Sequence, residues 1–394
     1  MKLSIERANG VFSAPPSKSA LHRRLILNAL AGCFDVPADP CTDVSVTANG
    51  LRSLQSGRPV DLKDCGAALR FLLPVSLLFS GACFTGSPRL SERPILPLIE
   101  VLRAHGAVVS NDALPLTVSG ALHPGDYALD GSVSSQFFSG LMLTLPFLSG
   151  DSTLRWTAPP VSAGYISLTE RMLKEHGVSV IRKEYGYRIP GGQKPRALPL
   201  TVEGDWSCAA TMLILGAILG SVTVTGLDPI SEQPDRTVLD VLRQCGARVS
   251  IDGDAVTVSK GKLTGFKCSG EPAPDLIPVL AALACASEGD SVLYRLDRLR
   301  DKESDRFSAL IALLGSLGAD FETECDRTIA IHGHGSIPGG NADVPPDHRM
   351  VMAAALLSAV SAKPVEIGNT NSLSKSYPGF LSDFQKIGGR IHAI

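Results

Sequence analysis

A glycine that closes a short amphipathic stretch recurs along this chain at a nearly constant interval, and that period constrains the fold more than any single motif. LRAHGA ends near Gly106, LKEHGV near Gly177, LRQCGA near Gly246, LGSLGA near Gly318 and FQKIGG near Gly388, so the glycines fall 71, 69, 72 and 70 residues apart. A weaker copy, LRSLQSG, ends at Gly57 and completes six repeats, the first of them shortened. Glycine suits a left-handed helix cap, because without a Cβ it takes positive φ at no steric cost. The runs that follow, Ala107-Val108-Val109, Val178-Ser179-Val180 and Ala247-Arg248-Val249, read as strands.

A second helix in each repeat is expected to begin near Ser19, Gly66, Ser134, Ser207, Asp275 and His348, where apolar residues continue for about three turns. Short β-type runs such as Leu200-Thr201-Val202 and Ser221-Val222-Thr223-Val224 fill the remainder, giving roughly a βαβαββ module. A solenoid is the ordinary reading of a repeat, but solenoid units usually run about 20–50 residues, and a longer period suits pseudo-symmetric domains better. Six modules are too many for one core, which predicts two domains of three modules each.

Composition supports that size. With 394 residues, 44% hydrophobic and 19% charged, the chain has enough apolar side chains for a large core and two or three domains. A net charge of −2 gives no global attraction to nucleic acid or to an anionic membrane, so anion binding must come from local clusters and the expected partner is a small molecule. The nine cysteines are odd in number with none at CxxC spacing, which argues against a disulfide framework or a cysteine zinc site and for a reducing compartment. The first residues, Met-Lys-Leu-Ser-Ile-Glu-Arg, lack a signal peptide's apolar core. Leu72 to Phe84 and Ala209 to Val222 are shorter than the ~20 residues that span a bilayer. The expectation is a cytoplasmic protein with no membrane segment.

Six segments have the residue types of anion sites at predicted helix starts. Pro15-Pro16-Ser17-Lys18-Ser19 precedes the run Ala20 to Leu30, placing Lys18 and Arg23 beside unpaired backbone N–H groups; GxxxxGK is absent, so it is not a P-loop. In Asp64-Cys65-Gly66-Ala67-Ala68-Leu69-Arg70, small residues allow close backbone approach, as they also allow tight helix packing. Arg89-Leu90-Ser91-Glu92-Arg93-Pro94 offers two guanidinium forks suited to carboxylate or phosphate, or a solvated loop. Asp130-Gly131-Ser132-Val133-Ser134-Ser135-Gln136-Phe137 gathers hydroxyls and an amide at a helix start. Arg300-Asp301-Lys302-Glu303-Ser304-Asp305-Arg306 holds six charges in seven residues, and Asp347-His348-Arg349-Met350 opens an apolar helix with Lys375 in a later Ser-rich loop. Asp275 and Glu303 qualify as base and acid, or as plain helix caps. His332-Gly333-His334 reads as an edge or turn with no carboxylate at ligand spacing, so no metal site is expected.

Taken together, PPSKS with Arg23, GAALR, SERPI, DGSVSSQF, RDKESDR, DHRM and the Lys375 loop stand in the order and spacing of the enolpyruvyl transferases, and the chain resembles the 5-enolpyruvylshikimate-3-phosphate synthase family from end to end. The resemblance implies an α/β fold of two inside-out α/β barrel domains, each of three βαβαββ units with pseudo-threefold symmetry. One domain would cover residues 16–203 and the other residues 1–15 with 204–394, with the active site in the cleft between them and closure on substrate binding. It implies that Lys18, Ser19, Arg23, Ser134, Ser135, Gln136, Ser162, Tyr165, Asp275 and Lys302 bind shikimate 3-phosphate. Lys18, Gly66, Arg93, Gln136, Arg306, Arg349 and Lys375 would bind phosphoenolpyruvate.

The implied reaction moves the enolpyruvyl group to the 5-hydroxyl of shikimate 3-phosphate and releases phosphate, through a tetrahedral intermediate. Asp275 and Glu303 would transfer protons with Lys18 and His348 assisting, with no metal or organic cofactor needed; the lack of an obvious exposed apolar helix in the sequence suggests a monomer. Three residues depart from the family's common pattern: Pro16 for glycine, Asp64 for asparagine and Ala67 for threonine. Asp64 would repel bound phosphate unless protonated or turned away. The rival readings are transfer to UDP-N-acetylglucosamine, which typically uses a loop cysteine, and a non-catalytic anion-binding relative.

Overall fold

The six cap glycines all adopt positive φ, from 64° at Gly57 to 119° at Gly388, in the computed structural model, which describes residues 1–392. Each lies two residues beyond the end of a helix, and in every repeat but the first the chain then turns into strands of that repeat's own sheet. In chain order the elements are β1 (Lys2–Ser4), β2 (Asn9–Ser13), α1 (Lys18–Leu30) and α2 (Thr42–Gln55). Next come β3 (Val60–Asp61), α3 (Gly66–Val75), β4 (Ala82–Thr85), the short α4 (Pro88–Glu92), α5 (Leu96–Ala104), β5 (Ala107–Val109) and β6 (Leu116–Gly120). The third repeat is β7 (Asp126–Asp130), α6 (Ser135–Met142), β8 (Ser152–Ala158), α7 (Gly164–Glu175), β9 (Ile181–Lys183) and β10 (Gly186–Ile189).

The fourth has α8 (Trp206–Leu219), β11 (Ser221–Thr225), α9 (Val238–Gln244), β12 (Arg248–Asp252) and β13 (Ala255–Ser259). The fifth has β14 (Lys267–Ser269), α10 (Ile277–Ala286), β15 (Glu288–Tyr294), α11 (Arg306–Ser316), β16 (Phe321–Glu324) and β17 (Thr328–His334). The last has β18 (Asn341–Ala342), α12 (His348–Leu357), β19 (Val365–Ile367), α13 (Phe380–Lys386) and β20 (Arg390–His392).

Five repeats build four-stranded sheets with one shared order, β3-β4-β6-β5, β7-β8-β10-β9, β2-β11-β13-β12, β14-β15-β17-β16 and β18-β19-β1-β20. In each, the first two strands are parallel and the other pairings antiparallel. The helix that links the parallel pair is apolar on all sides where it is most enclosed: α8 buries every residue from Trp206 to Ile218, and α10 every residue from Ile277 to Cys285. The second helix of each repeat is one-sided; α11 buries Phe307, Leu310, Leu313 and Leu314 at helical spacing.

The chain divides into two compact units, residues 1–17 with 203–394 and residues 18–202. The N-terminal strands complete two sheets of the first unit, β2 beside β11 and β1 between β19 and β20. Where the chain leaves and rejoins that unit, the Ser17 N–H donates to the Glu203 carbonyl at 2.8 Å and the Asp205 N–H to the Pro15 carbonyl at 2.8 Å. Each unit has its own apolar core, around Trp206, Phe307 and Phe380 in the first and Phe71, Phe137 and Phe138 in the second.

Four details differ from the sequence reading. The first repeat is not a full βαβαββ module: among the described residues α1 and α2 have no four-stranded sheet of their own. Leu200-Thr201-Val202 is not a strand, because Pro190, Pro195 and Pro199 remove ladder donors; that segment is instead pinned along α1, where Asn28 bonds the Leu198 carbonyl at 2.7 Å and its N–H at 2.9 Å. Val178-Ser179-Val180 is irregular, and its strand begins three residues later at Ile181. His332 and His334 lie on an inner strand, β17, with Asp290 2.7 Å from His332 Nδ1 and Asp320 3.3 Å from His334 Nε2. Among the described residues no helix is long and apolar enough to cross a membrane.

Candidate active site

In the unit of residues 18–202, helix starts gather the cations. Lys18 opens α1, and its Nζ donates to Asp43 Oδ2 at 2.9 Å. Asp43 sits buried in the first turn of α2; it was absent from the sequence-derived set, since only the fold brings it to Lys18. Arg23, one turn further along α1, is 2% exposed. Its Nε donates to Thr169 Oγ1 at 2.7 Å, its Nη1 to the Ser19 carbonyl at 2.6 Å, and its Nη2 to Ser139 Oγ at 3.1 Å and the Tyr165 carbonyl at 3.0 Å. The guanidinium also lies 5.0 Å from the Phe71 ring centre. Burial pulls its pKa down to about 9, opposed by Tyr165, so it remains charged at neutral pH. Arg23 thereby ties α1 to the middle of α6 and to α7.

Ser134 caps α6, its hydroxyl accepting from the Gln136 N–H at 3.2 Å, and Ser135 is buried beside it. Ser162 is buried with φ of 49°, just ahead of α7, whose first turn carries Tyr165. At α3, Arg70 donates to the Gly66 carbonyl at 3.1 Å and the Pro94 carbonyl at 2.8 Å. A Cβ added to Gly66 would stand 2.5 Å from Arg93 Nη1 and 2.7 Å from Arg70 Nη1, so Gly66, Arg70 and Arg93 form one cradle. Asp64 accepts a 2.8 Å hydrogen bond from the Ser87 hydroxyl, which satisfies one oxygen of the carboxylate that departs from the family pattern.

In the other unit, six expected residues gather around the guanidinium of a seventh, Arg306. Arg306 Nη1 donates to Asp275 Oδ1 at 2.9 Å, Nη2 to Glu303 Oε2 at 2.6 Å, and Nε to Asp347 Oδ2 at 2.8 Å. Lys302 Nζ reaches the same Asp275 oxygen at 3.0 Å, Arg349 Nη2 lies 3.7 Å from its second oxygen, and Lys375 Nζ lies 3.8 Å from Glu303. His348 is fully buried, with Nδ1 3.7 Å from Asp347. Asp347 is the organiser that the sequence reading treated only as the start of a helix. Besides Arg306 it holds the Arg349 N–H at 2.9 Å and the Ser304 hydroxyl at 3.0 Å. A fully buried arginine needs a buried acid, and DHR at a helix start was the available signal.

Burial alone would raise Asp275, but Lys302, Arg306 and Arg349 outweigh it and hold the carboxyl well below its usual range. Burial lowers Lys302, which Arg298 and Arg306 reinforce and Asp275 partly offsets. Arg306 and Arg349 are driven upward by their carboxylates in spite of burial. Three carboxylates face four cations here, so the cations are positioned before any anionic substrate arrives.

The sequence model of EPSP synthase (3-phosphoshikimate 1-carboxyvinyltransferase) matches residues 39–384. The chain belongs to the EPSP synthase family. Relatives named 3-phosphoshikimate 1-carboxyvinyltransferase include that of Clostridium novyi, 34% identical over 99% of this chain and 98% of its own. That of Methanothrix thermoacetophila is 36% identical over the whole of both chains. The fold matches an EPSP synthase from Acinetobacter baumannii with a TM-score of 0.79 at 24% identity over all of both chains. It also matches an enolpyruvyl transferase from Streptomyces tendae with a TM-score of 0.77 at 18% identity, over 99% of this chain and 98% of that one. Both solved structures thus share this fold at identities below 25%.

Proposed function

We propose that the chain transfers the enolpyruvyl group of phosphoenolpyruvate to the 5-hydroxyl of shikimate 3-phosphate and releases phosphate. Family membership supports the reaction, and the observation that carries the site is Arg306 bridging Asp275, Glu303 and Asp347 while Lys302, Arg349 and Lys375 stand within 4 Å of the first two. Arg306, Arg349 and Lys375, with Gly66, Arg93, Gln136 and Lys18, bind phosphoenolpyruvate. Lys18, Ser19, Arg23, Ser134, Ser135, Gln136, Ser162, Tyr165, Asp275 and Lys302 bind shikimate 3-phosphate.

Asp275 takes the proton of the 5-hydroxyl as that oxygen attacks C2 of phosphoenolpyruvate, and Glu303 delivers a proton to C3, with Lys18 and His348 assisting. Return of the C3 proton expels phosphate from the tetrahedral intermediate and leaves the enol ether. A carboxylate held far below its usual pKa is a weak base. When substrate phosphate and carboxylate groups draw off Lys302, Arg306 and Arg349, Asp275 loses its compensation and its basicity rises. Substrate binding thus prepares the base.

The common strand order of the five sheets supports pseudo-threefold units within inside-out barrels. We read the protein as a cytoplasmic monomer; among the described residues no helix is long and apolar enough to cross a membrane. The test is phosphate release from phosphoenolpyruvate with shikimate 3-phosphate, with UDP-N-acetylglucosamine as parallel acceptor and Glu303→Gln as control. Release only with the shikimate ester, reduced in the variant, supports the reading; release only with the nucleotide sugar, or with neither, overturns it.

A further inference from the structure

Beside Lys18 lie three buried side chains that the proposed reaction does not use. His22 on α1, Asp43 on α2 and Cys65 at the cap of α3 come from three helices and place a ring nitrogen, a carboxylate oxygen and a sulfur within 4.8 Å of one another. They are 1%, 5% and 0% exposed. His22 Nδ1 lies 2.7 Å from Thr47 Oγ1, while its Nε2 is buried with no hydrogen-bond partner. In the tautomer whose Nδ1–H donates to the Thr47 hydroxyl, Nε2 carries the lone pair of a ligand atom, the arrangement that orients metal-binding histidines.

We propose that His22, Asp43 and Cys65 form a binding site for a zinc-class divalent ion, whose occupation competes with Lys18 for Asp43 and reversibly shuts the protein off. One nitrogen, one sulfur and one carboxylate oxygen suit borderline-soft ions such as Zn²⁺ and Co²⁺; Mg²⁺ and Ca²⁺ require oxygen ligands. An ion about 2.0–2.3 Å from each ligand sets ligand atoms roughly 3.3–3.8 Å apart, so the trio closes by side-chain movements of at most about 1.5 Å. On binding, the Cys65 thiol releases its proton to solvent, the thiolate and the Asp43 carboxylate neutralise the ion, and no electron is transferred. Lys18 loses its 2.9 Å partner and is repelled by the ion. The binding site stands independently of the enolpyruvyl reading, whereas the shut-off rests on it.

The test titrates the reduced, full-length protein with Co²⁺. We expect a thiolate-to-cobalt charge-transfer band that saturates near one equivalent, is displaced by Zn²⁺, and is absent from Cys65→Ser and His22→Gln. Serine retains the α3 cap, and circular dichroism of both variants verifies folding. In the phosphate-release assay, excess Zn²⁺ should lower wild-type turnover about tenfold, the size of one charge-assisted contact. A chelator should restore it, and Cys65→Ser should resist. A missing band, or a band that survives in Cys65→Ser, overturns the site; full occupancy with undiminished turnover overturns the competition with Lys18. If the metal-free protein is inactive, the enolpyruvyl reading fails while the cobalt band still decides the site.

Discussion

Arg306 and Asp347 form a bidentate pair, Nε to Oδ2 at 2.8 Å and Nη2 to Oδ1 at 3.2 Å, with both side chains almost wholly buried. The pair joins the RDKESDR segment to the start of α12 across 41 residues of chain. Removing Asp347 leaves the buried Arg306 with Asp275 and Glu303 alone and strips its Nε of its partner. Asp347→Ala should therefore cost about 3–5 kcal/mol in urea unfolding. Asp347→Asn, which keeps the cap on the Arg349 N–H, should cost less yet raise the KM for phosphoenolpyruvate about tenfold, one charge-assisted contact in size. Equal KM values in wild type and Asp347→Asn would show that Arg306 does not need this anchor.

Gly66 is needed for space, since its φ is ordinary and the obstacle is the two guanidinium groups within 3 Å of an added Cβ. In Gly66→Ala, Arg93 and Arg70 must retreat from the start of α3. The KM for phosphoenolpyruvate should rise about tenfold with little change in that for shikimate 3-phosphate, as expected when roughly one ionic contact is weakened. Steady-state kinetics with each substrate varied in turn measures this, and parallel rises in both would place Gly66 in a general structural role.

These two sites show what the sequence does and does not disclose. The cap glycines were legible because a helix stop is a local event: Gly106, Gly177, Gly246, Gly318 and Gly388 announce themselves within six residues. The motif residues were legible for the same reason. What escaped was non-local. Nothing near Lys2 or Asn9 signals that β1 and β2 belong to sheets built by residues more than 200 positions away, and only the family resemblance suggested that the N-terminal segment belongs with the second half. Asp43 and Asp347 were passed over because each looks like an ordinary first-turn or cap residue until the fold sets it against Lys18 or Arg306. Proline explains the misread strand at Leu200, where alternation alone favoured β-structure.

Arg23 tests whether a residue expected to touch substrate also holds the fold together. Every one of its nitrogens is engaged within its own unit. Arg23→Lys cannot reproduce the fork to Thr169, Ser139 and the Tyr165 carbonyl, and it leaves buried acceptors unsatisfied at about 1–3 kcal/mol each. The urea midpoint should fall together with turnover. Loss of turnover with an unchanged midpoint would assign Arg23 to the substrate alone.

His176 sets a pH limit on the unit of residues 18–202. Its ring is buried, Nδ1 donates to the Arg196 carbonyl at 2.7 Å, and Nε2 has no partner. Burial lowers its pKa to about 4, the Arg196 carbonyl offsetting a little and the charges of Arg24 and Arg196 adding to the fall. The unfolded histidine protonates near pH 6.5, so between 6.5 and 4 the unfolded chain binds more protons than the folded one, and stability falls as pH falls. The contribution is complete above pH 6.5, diminishes by about 2 kcal/mol at pH 5, and levels off below 4. His22, also held well below 6.5, acts in the same direction. Urea midpoints at pH 7, 6 and 5 should therefore decline steadily. In His176→Gln, whose amide can still donate to the Arg196 carbonyl, the decline should shrink by the share of one proton. An identical slope in that variant would mean that His176 protonates in the folded state without cost.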